Sequence, residues 1–112
     1  MKILLMDDDI VIQRLFGALL EERGHSVVVA PTGEEALTEI KNGFSPEIAI
    51  LDLINPGIGG EKTAEKIQQV NPKTKILLIS GDHEELAEVG KRLNLKTLPK
   101  PFPFASLEKM IK

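Results

Sequence analysis

The sequence predicts an α/β fold in which a parallel β-sheet is covered by helices on both faces. Short apolar runs alternate along the chain with segments of helical periodicity. The first run, residues 3–6, is continuously apolar, as expected for a strand buried on both faces. The 112 residues contain no repeat, linker or low-complexity tract, and domains commonly hold about 100–150 residues. We therefore expect a single domain over residues 1–112.

The first half of the chain is predicted to hold three strands, at residues 3–6, 26–30 and 48–51. Asp9 can cap a helix that ends near Gly24. Its apolar residues recur at helical spacing and are expected to face the core: Ile12, Leu15, Phe16, Leu19 and Leu20. Thr32 with Glu35 has the sequence of a capping box, which predicts a second helix to about residue 42 or 43.

The second half continues the alternation. A helix over about 61–70 should end before Pro72, and a strand is predicted at 75–79. Asp82 with Glu85 forms a second capping-box sequence for a helix ending between residues 90 and 93. A short strand at 95–98 and a final helix from about 104 complete the chain, and such an alternation favours right-handed crossovers.

The composition excludes several classes of protein. With no cysteine, the chain has no disulfide, thiolate metal site or thiol nucleophile. The net charge of −3 and the absence of Trp and Tyr argue against direct nucleic-acid binding. No apolar run approaches the roughly 18 residues of a membrane span. We expect a cytoplasmic domain.

Polar residues follow four predicted strands at the sheet edge where α/β proteins bind ligands. Asp7 and Asp8 follow the first strand, and Asp52, Ser80 and Lys100 follow the third, fourth and fifth. Two carboxylates about 4 Å apart repel by roughly 4 kcal/mol at an effective dielectric constant near 20. Such a cluster needs a cation, and its hard oxygen ligands suit Mg²⁺. The hydroxyl and the ammonium group suit a phosphoryl group.

Each of these residues also has a structural explanation when it is considered alone. Asp9 is typical of a helix cap, Asp52 could cap a turn, Ser80 could open the next helix, and Lys100 could be a surface lysine. Their joint order along the strands favours one site. The two histidines, His25 and His83, lack metal-ligand spacing and are expected at a turn and on the surface of a helix.

Four stretches carry a family resemblance that extends over essentially the whole chain: residues 3–9, 50–53 with Pro56, Gly57 and Gly60, 76–81, and 98–102. The chain resembles a receiver domain of two-component response regulators. This resemblance implies a flavodoxin-like doubly wound sheet of five strands in the order 2-1-3-4-5. It also implies a regulatory phosphoacceptor that catalyses only its own phosphoryl transfer and dephosphorylation.

The resemblance further assigns roles to residues. Asp52 would accept a phosphoryl group from a phosphohistidine of a sensor kinase or phosphotransfer protein. Ser80 and Lys100 would contact the phosphoryl oxygens, and the Lys100–Pro101 bond would be cis. Mg²⁺ would be held by carboxylates and one main-chain carbonyl: Asp8 directly, Asp7 largely through water, Asp52, and the Ile54 carbonyl.

The resemblance implies an effector, linked or separate, and a monomer or a weak phosphorylation-dependent dimer. Three positions depart from the usual family pattern. Thr97 stands where an aromatic residue usually reports activation, Gly59 replaces an aspartate, and Gly81 replaces an alanine. We therefore expect phosphorylation chemistry without the usual aromatic switch.

Two alternatives remain open from the sequence. A haloacid-dehalogenase-like phosphatase would use Asp7 and Asp9, but it needs a further acidic motif after Lys100, where only Glu108 is acidic. A degenerate receiver would act as an interaction module without phosphorylation. Stable aspartyl phosphate, fast turnover or no phosphoprotein would distinguish the three.

Overall fold

The computed structural model describes all residues from 1 to 112, and strands and helices alternate strictly along the chain. The strands are β1 Lys2–Met6, β2 Ser26–Ala30, β3 Ile48–Asp52, β4 Lys75–Ser80 and β5 Lys96–Pro99. The helices are α1 Ile10–Glu22, α2 Gly33–Lys41, α3 Gly59–Val70, α4 His83–Leu93 and α5 Phe104–Ile111. All strand pairs are parallel, in the order β2-β1-β3-β4-β5. The predicted fold class and strand order are confirmed.

The sheet separates two apolar cores. Thirteen buried residues, including Leu51, Ile67 and Leu86, pack between one face of the sheet and helices α2, α3 and α4. Ten others, including Phe16 and Leu107, pack between the opposite face and helices α1 and α5. Because each central strand has a core on both sides, its sequence is continuously apolar, as in other parallel sheets.

Helix caps fix where the chain leaves the sheet. The side chains of Asp9, Thr32 and Asp82 accept hydrogen bonds from the main-chain N–H groups of Val11, Glu35 and Glu85 respectively. These bonds satisfy donors that the first helical turn leaves free. The carboxyl ends of the strands share one edge because all the strands are parallel, and these three helices begin within a few residues of that edge. None of the five helices combines the length and the hydropathy that a membrane span requires.

The structure corrects three local predictions. Leu15 does not face the core, since it is 51% exposed, whereas Phe16 and Leu20 are buried. Helix α3 begins at Gly59, two residues earlier than predicted. Strand β5 begins one residue later, because Leu95 donates its N–H to the Gly90 carbonyl at 2.8 Å and so completes the C-terminal cap of α4.

Candidate functional site

Three carboxylates meet at the carboxyl ends of the neighbouring strands β1 and β3. Asp7 directly follows β1 and Asp52 is the last residue of β3, and these strands are neighbours whose register pairs Met6 with Leu51. Oxygen atoms of Asp7, Asp8 and Asp52 all lie within 4.8 Å of one another. Asp7 and Asp52 are buried and Asp8 is exposed. The cluster is therefore open to solvent on the side of Asp8.

Asp7 is held in place by four hydrogen bonds. Its main-chain N–H donates to the Ala30 carbonyl at 3.1 Å, and its carbonyl accepts from Gln13 Nε2 at 2.7 Å. One carboxylate oxygen accepts from the main-chain N–H of Asp9 at 2.9 Å. The other accepts from Lys100 Nζ at 2.7 Å. This fully buried acid is thus fixed by its neighbours and paired with a cation.

Lys100 supplies the positive charge of the site. Its Nζ lies 2.7 Å from Asp7 Oδ2 and 3.5 Å from Asp52 Oδ1. Burial lowers the pKa of Lys100, but the hydrogen bond to Asp7 and the charges of Asp7 and Asp52 outweigh burial, so the pKa is raised above 10.5. Lys100 is therefore an ammonium ion at neutral pH. The peptide bond from Lys100 to Pro101 is cis, as expected.

Asp52 holds its proton far more tightly than an ordinary aspartate. Burial raises its pKa first, and the nearby charge of Asp7 raises it further, while Lys100 only partly offsets them. The pKa reaches about 6 from an ordinary value of 3.8. A cation bound beside Asp52 would therefore lower its pKa and stabilise the carboxylate form.

The remaining predicted site residues lie at the end of β4 and in the segment that follows β3. Ser80, the last residue of β4, is buried, and its Oγ accepts from the main-chain N–H of Asp82 at 3.0 Å. Ile54 lies two residues after Asp52 with its side chain turned to solvent, and is 54% exposed. The structure therefore brings Asp7, Asp8, Asp52 and Lys100 together, and places Ser80 at the end of the strand next to Asp52.

Two contacts near this edge were not predicted from the sequence, although His83 is exposed in the first turn of α4, as predicted. His83 Nε2 lies 2.7 Å from the Lys100 carbonyl oxygen. Asn55 is buried and donates from Nδ2 to the Pro31 carbonyl at 2.9 Å, while its Oδ1 has no partner. Neither contact has a local signal, because the partners are 17 and 24 residues apart in the chain.

The cluster suits a divalent cation with hard oxygen ligands. Three carboxylates within reach of one point, faced by a single lysine, leave excess negative charge. Two of the acids are buried; burial and then the charge of Asp7 raise the pKa of Asp52, and Lys100 offsets them only in part. Carboxylate oxygens of this kind, open to water on one side, are what Mg²⁺ prefers in proteins.

Comparison with known proteins agrees with this geometry. The family model described as the response regulator receiver domain matches residues 3–112. The transcriptional regulatory protein CpxR of Escherichia coli is 36% identical over 103 residues, which cover 90% of this chain and 43% of CpxR. The chain spans less than half the length of the curated relatives that it matches.

Solved structures show the same arrangement of the chain. A CheY-like receiver domain protein from Methanospirillum hungatei superposes with a TM-score of 0.89 at 28% identity, over 98% of this chain and 89% of that one. The response regulator TrrA of Thermotoga maritima, solved in complex with Mg²⁺–BeF, gives a TM-score of 0.86 at 29% identity. That match covers 98% of this chain and 95% of TrrA.

Proposed function

The chain belongs to the response regulator receiver domain family, and from this premise we propose that Asp52 accepts a phosphoryl group in a Mg²⁺-dependent reaction. One observation carries the proposal: Asp52 ends a central strand as a buried carboxylate, flanked by a second buried acid and by the only ammonium group of the site. The haloacid-dehalogenase-like alternative finds no support, since the matched family is that of receiver domains.

The proposed chemistry is in-line phosphoryl transfer. A carboxylate oxygen of Asp52 attacks the phosphorus of a phosphohistidine on a kinase or phosphotransfer protein. The new P–O bond forms as the P–N bond breaks, and the electron pair stays on the imidazole of the donor, which then takes up a proton. Such a reaction needs mainly positioning and neutralisation of charge. Lys100, 3.5 Å from Asp52 Oδ1, and the Ser80 hydroxyl are proposed to contact the phosphoryl oxygens.

Mg²⁺ is proposed to be the cofactor. Asp7, Asp8 and Asp52 would hold it together with the Ile54 carbonyl, and TrrA, a similar protein, was solved with Mg²⁺. When bound, the ion would neutralise charge on the acids and on the transferred group. Asp7 is already occupied by Lys100 and by the Asp9 N–H, which favours the predicted contact of Asp7 with the ion through water.

The same proposal covers the setting of the domain. Residues 1–112 would form one receiver domain in the cytoplasm, as a monomer or weak phosphorylation-dependent dimer, with its effector linked or separate and without direct contact to nucleic acid.

The output surface would be α4, β5 and α5. Thr97 on β5 is half-buried and lies against Gly90 of α4, where a Cβ would collide with Thr97 Cγ2. This close contact would transmit the signal in place of an aromatic side chain.

Mass spectrometry of the intact protein tests the proposal. Incubation with acetyl phosphate and Mg²⁺ should add one phosphoryl mass to the wild type and none to Asp52→Asn. Asp9→Asn is the matched control, because Asp9 caps α1 and lies outside the cluster, so this variant should still be labelled. A wild type that takes no phosphoryl group would instead support the degenerate-receiver alternative. An adduct that persists in Asp52→Asn would contradict the choice of acceptor.

A further inference from the structure

His83 connects helix α4 to the main chain of the site lysine. It is the first residue of α4, and its Nε2 lies 2.7 Å from the Lys100 carbonyl oxygen. A carbonyl oxygen can only accept, so Nε2 carries the hydrogen in this contact. The side chain is exposed and forms no hydrogen bond with Asp7, Asp8 or Asp52. His83 therefore reaches the site only through Lys100.

Residues 80–83, which run from the last residue of β4 to the first residue of α4, form hydrogen bonds with both main-chain polar groups of Lys100. The Lys100 N–H donates to the Ser80 carbonyl at 2.8 Å, and the Lys100 carbonyl accepts from His83. Within the same segment, Ser80 Oγ accepts from the Asp82 N–H at 3.0 Å. Residues 80–83 thus fix the main chain from which the lysine side chain extends.

We propose that His83 is a positioning residue, which holds the Lys100 main chain so that its ammonium group stays between Asp7 and Asp52. The proposal rests on the proposed function only for its effect on phosphorylation. The lysine side chain is long and flexible, and its ammonium group makes one contact of 2.7 Å and one of 3.5 Å. A displacement of the main chain would change both distances, and misplacement by about 1 Å can cost a hundredfold in rate.

Three variants separate positioning from general damage to α4. His83→Leu removes the donor and keeps a side chain of similar size. His83→Gln keeps an N–H donor at the end of a side chain of comparable reach. Glu84→Leu is the matched control, because it places the same side chain in the same turn of α4 and Glu84 forms no hydrogen bond or ion pair with Lys100.

The first measurement needs no phosphoryl transfer. In metal-free protein, the ¹⁵N order parameter of the Lys100 ammonium group reports how firmly that group is held. We expect a clear drop in His83→Leu, near wild-type values in His83→Gln and no change in Glu84→Leu. An ammonium group equally ordered in His83→Leu would overturn the proposal, as would an equal drop in all three variants.

The second measurement is the rate of Asp52 phosphorylation by acetyl phosphate with Mg²⁺. His83→Leu should be slower than the wild type by about three- to tenfold, and His83→Gln should recover to within about twofold. If the wild type is phosphorylated and His83→Leu is phosphorylated as fast as the wild type, the positioning proposal fails and the proposed function stands. If the wild type is not phosphorylated, the proposed function fails, and the order parameter still decides whether His83 positions Lys100.

Discussion

Asp52 couples the acid–base chemistry of the site to the stability of the fold. Its folded-state pKa of about 6 exceeds the ordinary value of 3.8, so between these values the folded protein binds more protons than the unfolded chain. The free energy of unfolding should therefore fall as the pH rises from about 4 to 6 and level off above 6. The loss is on the order of 3 kcal/mol.

Asp52→Asn isolates this contribution. Its side chain does not titrate, so in chelator the free energy of unfolding of the variant should rise relative to the wild type between pH 4 and pH 7, by the same order of about 3 kcal/mol. Urea denaturation at a series of pH values measures the difference. A difference that stays constant over this range would contradict a raised pKa of Asp52.

The charged residues of the site could be predicted because the sequence shows both their chemical type and their position at the ends of strands. A charged residue that ends or directly follows a strand of a parallel sheet lies at the edge where such sheets bind ligands. Asp7, Asp52 and Lys100 meet this condition and are found together. The contact of His83 with Lys100 could not be predicted, because a histidine in the first turn of a surface helix is ordinarily only solvated.

At the scale of elements, the site depends on how closely α3 approaches the end of β3. Gly60 lies in the first turn of α3 and donates its N–H to the Leu53 carbonyl at 3.0 Å. A Cβ at Gly60 would lie 2.6 Å from Leu53 Cα and would also collide with the Asp52 carbonyl oxygen. These are main-chain atoms, which cannot move aside without moving Asp52.

Gly60→Ala should therefore be destabilising although alanine favours helices. We expect a loss of about 1–3 kcal/mol, the usual cost of overpacking, together with slower phosphorylation of Asp52. Gly81→Ala is the control, since nothing lies within 4 Å of a Cβ at that position. It should change stability by less than about 0.5 kcal/mol. Chemical denaturation of both variants tests this, and equal stabilities would show that α3 can retreat freely.

The order and type of all ten elements followed from periodicity and capping residues, while several boundaries did not. Gly59 and Gly60 are poor helix formers, so the start of α3 is fixed by packing against β3 and not by propensity. Asn94 adopts a left-handed conformation that draws Leu95 into the cap of α4. Helix α1 has more apolar residues than the sheet can bury, and Leu15 is one of those left exposed. Periodicity alone could not show which of them would be exposed.

At the scale of the whole molecule, metal binding should appear as added stability. Mg²⁺ would bind the assembled cluster and not the unfolded chain, and a hundredfold excess over the dissociation constant stabilises by about 2.7 kcal/mol. Thermal melts with chelator and with Mg²⁺ measure this increment. Asp8→Asn should lose it, because we propose that Asp8 binds the ion directly, whereas Asp9→Asn should keep it, because Asp9 caps α1 and lies outside the cluster. A full increment in Asp8→Asn would show that the acids do not form one metal site.

The sheet is not equally protected from its centre to its edges. All five residues of β3 are buried, as are all but the first of β1 and β4, whereas β2 and β5 are half-exposed along most of their length. Main-chain amides in the centre should exchange with solvent only when the whole fold opens, and those of the edge strands through local fraying.

The acids and the lysine of the site are therefore attached to parts of the sheet that differ in how easily they open. Asp7 and Asp52 are anchored to the slowly exchanging centre, while Lys100 directly follows the edge strand β5. Fraying of β5 that also opens the bonds of the Lys100 main chain to Ser80 and His83 would withdraw the ammonium group from both acids while the acids kept their places. The lysine is thus the part of the site that can detach reversibly, without the cost of unfolding the domain.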